Sequence, residues 1–191
     1  MLEKTPRPVG EALKGARAGM EKLACRSEEL QDTPRSIRLE SPAFADNSLI
    51  PSRFTSDGEG LSPPLTWSNL PAEAVALVLL VEDADAPAPT PLVHAIAWDL
   101  PARDGGLAEG ELKSPAGPGE PHDLGRNSFL KAGYLPPDPP TGHGPHHYVF
   151  QLYALDSRLD LDGSPSRGKV LDAMTGHVLA MGELIGLYER L

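Results

Sequence analysis

The chain has 191 residues, 40% of them hydrophobic, so it is long and apolar enough for one domain with a single core and a short appendage. Its formal net charge of −10 at pH 7 would repel a phosphate backbone, which argues against nucleic acid as a partner. The lone cysteine, Cys25, fits a reducing compartment, and without a secretory signal or a membrane-length apolar run we expect a cytoplasmic protein with no integral membrane association.

Residues 1–34 predict an N-terminal amphipathic helical arm. Six apolar residues fall near one face at helical spacing, and Thr33-Pro34 ends the pattern. These residues are Val9, Leu13, Ala16, Met20, Leu23 and Ala24. Such a stripe needs a surface, which is either the chain's own domain or a second copy of the chain. We predict that the arm buries it in a homodimer contact.

Residues 35–191 predict a β-rich domain, because the chain's 21 prolines and 19 glycines imply many turns. Ser36–Glu40 is the first predicted strand. Ala74–Val81 is a continuous apolar run of strand length, which indicates burial on both faces. In the next strand, Leu92–Leu100, alternation assigns one set of side chains to the more apolar face. That set is Leu92, His94, Ile96, Trp98 and Leu100.

The second half of the domain predicts a long loop, one strand and two helical pieces. Gly105–Thr141 is dense in Gly and Pro, and a connection of this length is usually functional or disordered. His146–Leu155 is the next predicted strand. One of its faces carries His146, Tyr148, Phe150 and Leu152. After the helix start at Ser164-Pro165-Ser166, Lys169–Met174 and His177–Ile185 are predicted to be helical.

Polar side chains stand at the ends of three predicted buried strands. His94 opens one strand, His146 opens another, and Asp83 and Asp85 close a third. If these strands are neighbours, the four groups gather at one edge of the sheet beside the long loop. The i, i+2 spacing of Asp83 and Asp85 predicts that both carboxylates point the same way in extended backbone.

Four interpretations of this cluster compete. The carboxylates and imidazoles are suited to a metal site, to acid–base hydrolysis, to an anion pocket with imidazoles as donors, or to structural capping. His146 and His147 are adjacent in a strand and face opposite sides, so they do not readily share an ion. The sequence has no HExxH, CxxC or GxSxG motif, which weakens both enzyme interpretations. The remaining histidines, His122, His143 and His177, are predicted to be surface or capping groups.

The motifs around these residues resemble those of the phosphatidylethanolamine-binding protein family, in particular its bacterial Raf-kinase-inhibitor-like branch. The resemblance starts from "VEDADAPAP", "VHAIAWDLPA", "GRNSF" and "PPTGHGPHHYVFQLYALD". It extends to an opening segment, "LESPAFADNSLIPSRFTSDGEGLSPPLTWSNLP", and a closing one, "LDAMTGHVLAMGELIGLYER". Several spaced motifs therefore occur in order over Ser36–Arg190, and only the arm lies outside.

The resemblance implies a mainly β fold, an antiparallel β-sandwich with peripheral helices and a small pocket at one end. The family's D-P-D-A-P motif stands here as Asp83-Ala84-Asp85-Ala86-Pro87, followed by the matching His94. Its G-x-H-R-Y-x-F segment places a second histidine and a tyrosine at His146 and Tyr148. Loop groups near Arg126 and Asn127 complete the expected ligand-binding set. Departures from the motifs, at Ala84, Ala95 and His147, predict altered packing more than a lost site.

In function, the resemblance implies a non-enzymatic protein that binds a small anion of phosphate or carboxylate type, such as a phospholipid head group. It also implies inhibition of a kinase or a protease as a role, and no cofactor. A hydrolase that uses the same Asp/His cluster, with or without a divalent metal, is the alternative. Asp138 would bring negative charge to the pocket mouth and oppose an anion, and Arg126 is the candidate to compensate it.

Overall fold

The computed structural model describes residues 6–113 and 123–191, which form two β-sheets, two short α-helices and several 3₁₀ turns. The strands are β1 Arg38–Glu40, β2 Ser48–Leu49, β3 Leu65–Ser68, β4 Ala76–Asp83, β5 Leu92–Pro101, β6 Gly105–Leu107, β7 Asp123–Leu124, β8 His146–Leu155 and β9 Val178–Tyr188. The helices are α1 Arg7–Ala12 and α2 Arg167–Met174. One sheet has the strand order β1-β3-β6, and the larger one has the order β2-β9-β8-β4-β5-β7.

The two sheets pack face to face around the main core. Leu39 and Trp67 of the small sheet share one apolar cluster with Leu79, Phe150 and Leu152 of the large sheet. The predicted mainly β fold is therefore confirmed. Pairing is antiparallel throughout the described ladders except between β2 and β9, which are parallel.

The large sheet is buried on both faces, which explains the continuous apolar run in β4. All eight residues of this strand are buried. Val78 and Leu80 face a second apolar cluster on the side away from the small sheet. That cluster is completed by α2 and by the N-terminal arm, through residues such as Val170 and Leu23. A strand with no solvent-facing side has no polar alternation.

Two irregularities in β5 overturn the predicted alternation of its side chains. Its pairing with β4 jumps from Val81↔Ala95 to Glu82↔Val93, so His94 is an extra residue in the ladder. Ile96 and Trp98 lie in the cluster under the arm, whereas His94 lines a cavity on the other side of the sheet. His94 therefore does not share their face. A bulge of this kind re-aims a side chain, and bulges are over-represented beside functional sites.

The prediction of a helix at His177–Ile185 is wrong. Val178–Tyr188 is the long strand β9, which pairs antiparallel with the whole of β8. Its residues alternate between the two apolar clusters, with Ala180 and Leu184 in one and Met181 in the other. The predicted helix over Lys169–Met174 is confirmed as part of α2, which begins after Ser166.

The arm departs from the predicted amphipathic helix. Within the described part of the arm, residues 6–34, only Arg7–Ala12 is α-helical, and three 3₁₀ turns follow, at Met20–Lys22, Ala24–Arg26 and Glu28–Leu30. The extended form arises because side chains of the large sheet satisfy its backbone: Ala24 N–H donates to Glu82 Oε2 at 3.0 Å, and Cys25 N–H donates to Gln151 Oε1 at 2.9 Å.

The apolar residues at the end of the arm are buried in the chain itself. Leu23 and Ala24 belong to the cluster beneath the large sheet, with Met20 packed against it. This part of the stripe is therefore covered without a second copy, and the homodimer contact stays a prediction that concerns the first half of the arm. Val9, by contrast, is 46% exposed.

Among the described residues, no helix is long and apolar enough to cross a membrane. The predicted long loop, Gly105–Thr141, contains the short strands β6 and β7, and much of its described part borders a cavity. His122 lies outside the described residues.

Candidate anion-binding pocket

The ends of three neighbouring strands form the floor of a cavity of about 570 Å³. Asp83 ends β4 and pairs in register with Tyr148 of β8 and Leu92 of β5. Of the predicted site residues, the cavity is lined by Asp83, Pro87, His94, Asn127 and His146. The remaining wall is mostly apolar and comes from the predicted long loop, including Leu112, Phe129 and Tyr134.

His94 presents an unpaired nitrogen at this floor. Its Nδ1 lies 2.7 Å from the carbonyl oxygen of Leu135 and donates to it, because a carbonyl oxygen only accepts. Nε2 is buried and has no partner among the described residues. Complete burial lowers the pKa of the His94 imidazole, against the opposing effect of the Asp83 charge. At neutral pH the ring is therefore neutral and Nε2 is a hydrogen-bond acceptor.

Tyr148 lies directly behind the histidines, although it does not itself border the cavity. Its ring meets His94 edge to face at 5.0 Å between centroids and stacks on His146 at 6.2 Å. The phenol oxygen is buried and, within the described part of the chain, also has no hydrogen-bond partner. Burial, with the charge of Asp83, raises the pKa of Tyr148 well above its ordinary value, so the hydroxyl keeps its hydrogen.

His146 is held between Asp83 and a histidine that sequence analysis assigned elsewhere. Its Nδ1 lies 2.8 Å from Asp83 Oδ2, and its Nε2 lies 2.7 Å from His143 Nδ1. The prediction of His143 as a surface or capping group is wrong, since the residue is fully buried. The signal in the sequence was the i, i+3 spacing in Gly-His-Gly-Pro-His, where Gly142 and Gly144 have positive φ and fold the segment back on itself.

Asp83 and Asp85 do not point the same way, which corrects the prediction from their spacing. The strand ends at Asp83, and the amide of Asp85 turns back to donate to Asp83 Oδ1 at 2.9 Å. Asp85 instead accepts from His147 Nδ1 at 2.6 Å and from Arg17 of the arm. Burial raises the pKa of Asp85, but the hydrogen bonds from His147 and Arg17 outweigh it and the pKa is lowered. Asp85 therefore anchors the arm and does not line the cavity.

The loop after β7 contributes Asn127 and not Arg126 to the cavity. Asn127 is buried, donates from Nδ2 to Gly133 O at 3.1 Å, and accepts the amide of Phe129 at Oδ1. It therefore braces the turn that carries Phe129 at the rim. Arg126 is exposed and lies outside the lining, so it does not compensate the charge of Asp138 as predicted.

The charge of Asp138 is compensated by a different arginine. Asp138 lines the cavity, and Arg190 Nη1 donates to its Oδ1 at 2.8 Å. Ser56 Oγ also donates to Asp138 at 2.8 Å. Two lysines, Lys113 and Lys131, are among the lining residues. The Asp138 carboxylate thus carries a bonded cation, and two further cations border the cavity.

No group of three His, Cys, Asp or Glu side chains in the described ranges is arranged to hold a metal ion. The metal-dependent form of the hydrolase hypothesis therefore finds no ligand set there. A largely apolar cavity with a few convergent polar groups, some of them with shifted pKa values, is typical of a small-molecule binding site.

Comparison with known proteins identifies the family. A family model described as phosphatidylethanolamine-binding protein matches residues 40–189. The chain is 43% identical over 154 residues to a UPF0098 protein of Methanothermobacter thermautotrophicus, covering 81% of this chain and 99% of that one. A UPF0098 protein of Pyrococcus horikoshii is also 43% identical, over 78% of this chain and 75% of its own length. The chain belongs to the phosphatidylethanolamine-binding protein family.

Solved structures give the same answer for the fold. A phosphatidylethanolamine-binding protein homologue from Chlamydia trachomatis matches with a TM-score of 0.74 and 36% identity, covering 82% of this chain and 99% of the other. Escherichia coli YbcL, a member of the same family, matches with a TM-score of 0.75 and 25% identity over the same shares. The motifs' resemblance to the phosphatidylethanolamine-binding protein family is therefore confirmed. The family match leaves the arm outside its bounds.

Proposed function

We propose that this protein is a non-enzymatic binding protein whose pocket takes a small anion of phosphate or carboxylate type, such as a phospholipid head group. The observation that carries the proposal is the pair of buried polar atoms, His94 Nε2 and Tyr148 Oη, that lack partners in the described chain. A buried polar atom without a hydrogen bond costs roughly 1–3 kcal/mol, so a bound ligand is the natural partner of both.

The two unpaired atoms specify which hydrogen-bonding groups the ligand must have. Tyr148 Oη has a hydrogen to donate to an anionic oxygen. His94 Nε2 is an acceptor while the ring is neutral, so it pairs with a ligand hydroxyl, or it takes up a proton and becomes a donor. A phosphate monoester bound at this place therefore carries one hydrogen shared with His94. Binding of a dianionic phosphate group is therefore coupled to the uptake of one proton.

The charges around the cavity also favour an anion. Arg190 compensates Asp138, and Lys113 and Lys131 lie in the lining. The net charge of the whole chain, −10, is therefore a poor guide to this cavity. The apolar wall suits the organic part of an esterified phosphate, which a bare inorganic ion does not have.

The proposal is tested by calorimetric titration of the full chain with phosphoethanolamine at pH 6. We expect His94→Ala to weaken binding by at least tenfold, since it removes the unpaired nitrogen. His177→Ala is the matched control, because His177 bonds to Asp156 at 2.8 Å and does not line the cavity. Equal affinities for wild type and His94→Ala would refute the assignment of the pocket.

A further inference from the structure

A chain of hydrogen bonds joins the pocket floor to the N-terminal arm. Asp83 Oδ2 lies 2.8 Å from His146 Nδ1, and His146 Nε2 lies 2.7 Å from His143 Nδ1. The last link runs 2.8 Å from His143 Nε2 to the carbonyl oxygen of Leu13, where α1 ends. All three ionisable side chains are buried. We call Asp83, His146 and His143 the pocket triad.

The carbonyl of Leu13 determines how many hydrogens the pocket triad holds. A carbonyl oxygen only accepts, so His143 Nε2 carries a hydrogen. Burial, followed by the nearby charge of His146, lowers the pKa of His143, which keeps this ring neutral and its Nδ1 a bare acceptor. His146 Nε2 is then the donor of the middle bond.

The count of hydrogens fixes the charge. Three hydrogen bonds in series need three hydrogens, whereas a carboxylate and two neutral imidazoles supply only two. The third hydrogen lies between His146 Nδ1 and Asp83 Oδ2. We place it on the imidazole, next to the carboxylate, so that the positive ring and the negative carboxylate cancel and the pocket triad as a whole has no net charge.

We propose that His143 is a specificity-determining residue, which keeps His146 doubly protonated and so cancels the charge of Asp83 where an anion has to bind. This inference rests on the proposed anion-binding function and deepens it. His143 does not line the cavity and acts only through His146. Without an acceptor at His143 Nδ1, the doubly protonated form of His146 is less stable. When the third hydrogen dissociates, the floor of the cavity carries a net negative charge.

The surrounding charged groups are few and are placed by separate elements. Arg17 of the arm donates to His143 O at 3.3 Å and to Asp85, which also holds His147. Tyr148 stacks on His146 and meets His94 edge to face. Because Leu13 and Arg17 belong to the arm, the final acceptor and the cation that donates to His143 O lie outside the part of the chain that matches the family.

Two variants of His143 separate this role from a merely structural one. In His143→Asn, the side-chain oxygen takes the place of Nδ1 and still accepts from His146, but the bond to Leu13 is lost. In His143→Leu both bonds are lost. The two variants therefore loosen the arm alike and differ only in the acceptor offered to His146.

The experiment combines nitrogen-15 spectra of the imidazoles with phosphate titration of the full chain at pH 7.5. We expect doubly protonated His146 in wild type and His143→Asn, with phosphate affinities within about threefold. In His143→Leu we expect a singly protonated ring and binding weaker by roughly ten- to a hundredfold, the effect of one uncompensated charge a few ångströms away.

Two results would overturn the inference: a singly protonated His146 in the wild-type chain, or equal phosphate affinities for His143→Asn and His143→Leu. A failure of the proposed function has a different signature. If wild type binds neither phosphate nor phosphoethanolamine while His146 is doubly protonated, the anion-binding proposal is wrong and the neutral pocket triad stands.

Discussion

His94 and Tyr148 meet edge to face at 5.0 Å between ring centroids, and each keeps one buried polar atom without a partner in the described chain. The two rings come from different strands, β5 and β8, which both pair with β4. A bulge turns His94 towards this contact. The geometry of the sheet therefore places one acceptor at the cavity floor and one donor directly behind it.

Binding of phosphoethanolamine is expected to take up about one proton at pH 8. The phosphate group of a monoester is mostly dianionic there, since its second pKa is about 6, while neutral His94 offers only an acceptor. Uptake should fall towards zero near pH 5, where the ligand already carries the hydrogen. Calorimetry in buffers with different ionisation enthalpies measures it. An uptake of zero at pH 8 would contradict this arrangement, and His94→Gln should abolish the uptake.

Acid should destabilise the fold partly through His94. Burial lowers the pKa of this imidazole below 6.5 in the folded chain, so the unfolded chain binds a proton first as the pH falls. The contribution of neutral His94 to the free energy of unfolding is therefore fully present above pH 6.5. It is lost below that pH, by up to about 1.4 kcal/mol per pH unit. Urea midpoints at pH 7.5 and 5.5 measure the loss. His94→Gln should show a shallower slope, and an unchanged slope would rule this cause out.

Arg17 is expected to hold the arm against the segments that follow β4 and precede β8. It bonds to Asp85 and donates to Pro145 O at 2.9 Å. We expect Arg17→Met to speed hydrogen exchange at the amides of Ala18 and Gly19 by about five- to thirtyfold, equivalent to roughly 1–2 kcal/mol of local stability. These amides donate to Ala86 and Ala84, so their exchange reports opening of the arm.

The control for this exchange experiment is Arg7→Met, which removes an exposed pair with Glu11 within α1. An exposed pair of this type contributes only about 0.3–0.5 kcal/mol. If both variants change exchange at Ala18 and Gly19 equally, Arg17 has no special role in anchoring the arm.

Gly182 in β9 should not tolerate a side chain. A Cβ at this position would overlap the backbone oxygen of Ile37, which runs against β9. We expect Gly182→Ala to lower the free energy of unfolding by roughly 1–3 kcal/mol, because the two segments must separate. Chemical denaturation measures the difference.

Gly168 in α2 is the matched control, since a Cβ there meets nothing within 4 Å. Gly168→Ala should raise stability by up to about 1 kcal/mol, because alanine has the better helix propensity. If Gly182→Ala and Gly168→Ala both change the free energy of unfolding by similar, small amounts, Ile37 does not approach β9 as closely as described.

The strands that form the site could be predicted from the sequence, because a strand that is buried on both faces consists largely of consecutive apolar residues. Both β4 and β8 were predicted within two residues of their bounds, and the face of β8 was correct. The bulge at His94 could not be predicted, since an extra residue in a ladder depends on the register of the neighbouring strand. His94 does line the cavity as predicted, although the strand face predicted for it was wrong.

Other elements depended on contacts far away in the chain. Val178–Tyr188 carries apolar residues at both helical and strand spacing, and its pairing with β8 decides between them. The arm is extended because Glu82 and Gln151 of the sheet bond to its backbone, which its own sequence does not reveal. His143 was missed for the same reason, since its partners are His146 in a strand and Leu13 in the arm.

A crystal structure of the full chain grown with phosphoethanolamine is the sharpest test of the proposed pocket. We expect phosphate oxygens within about 3 Å of both His94 Nε2 and Tyr148 Oη, with the organic part of the ligand against the apolar wall. A cavity without ligand at a concentration that saturates the protein in solution, or a phosphate bound elsewhere on the chain, would contradict it.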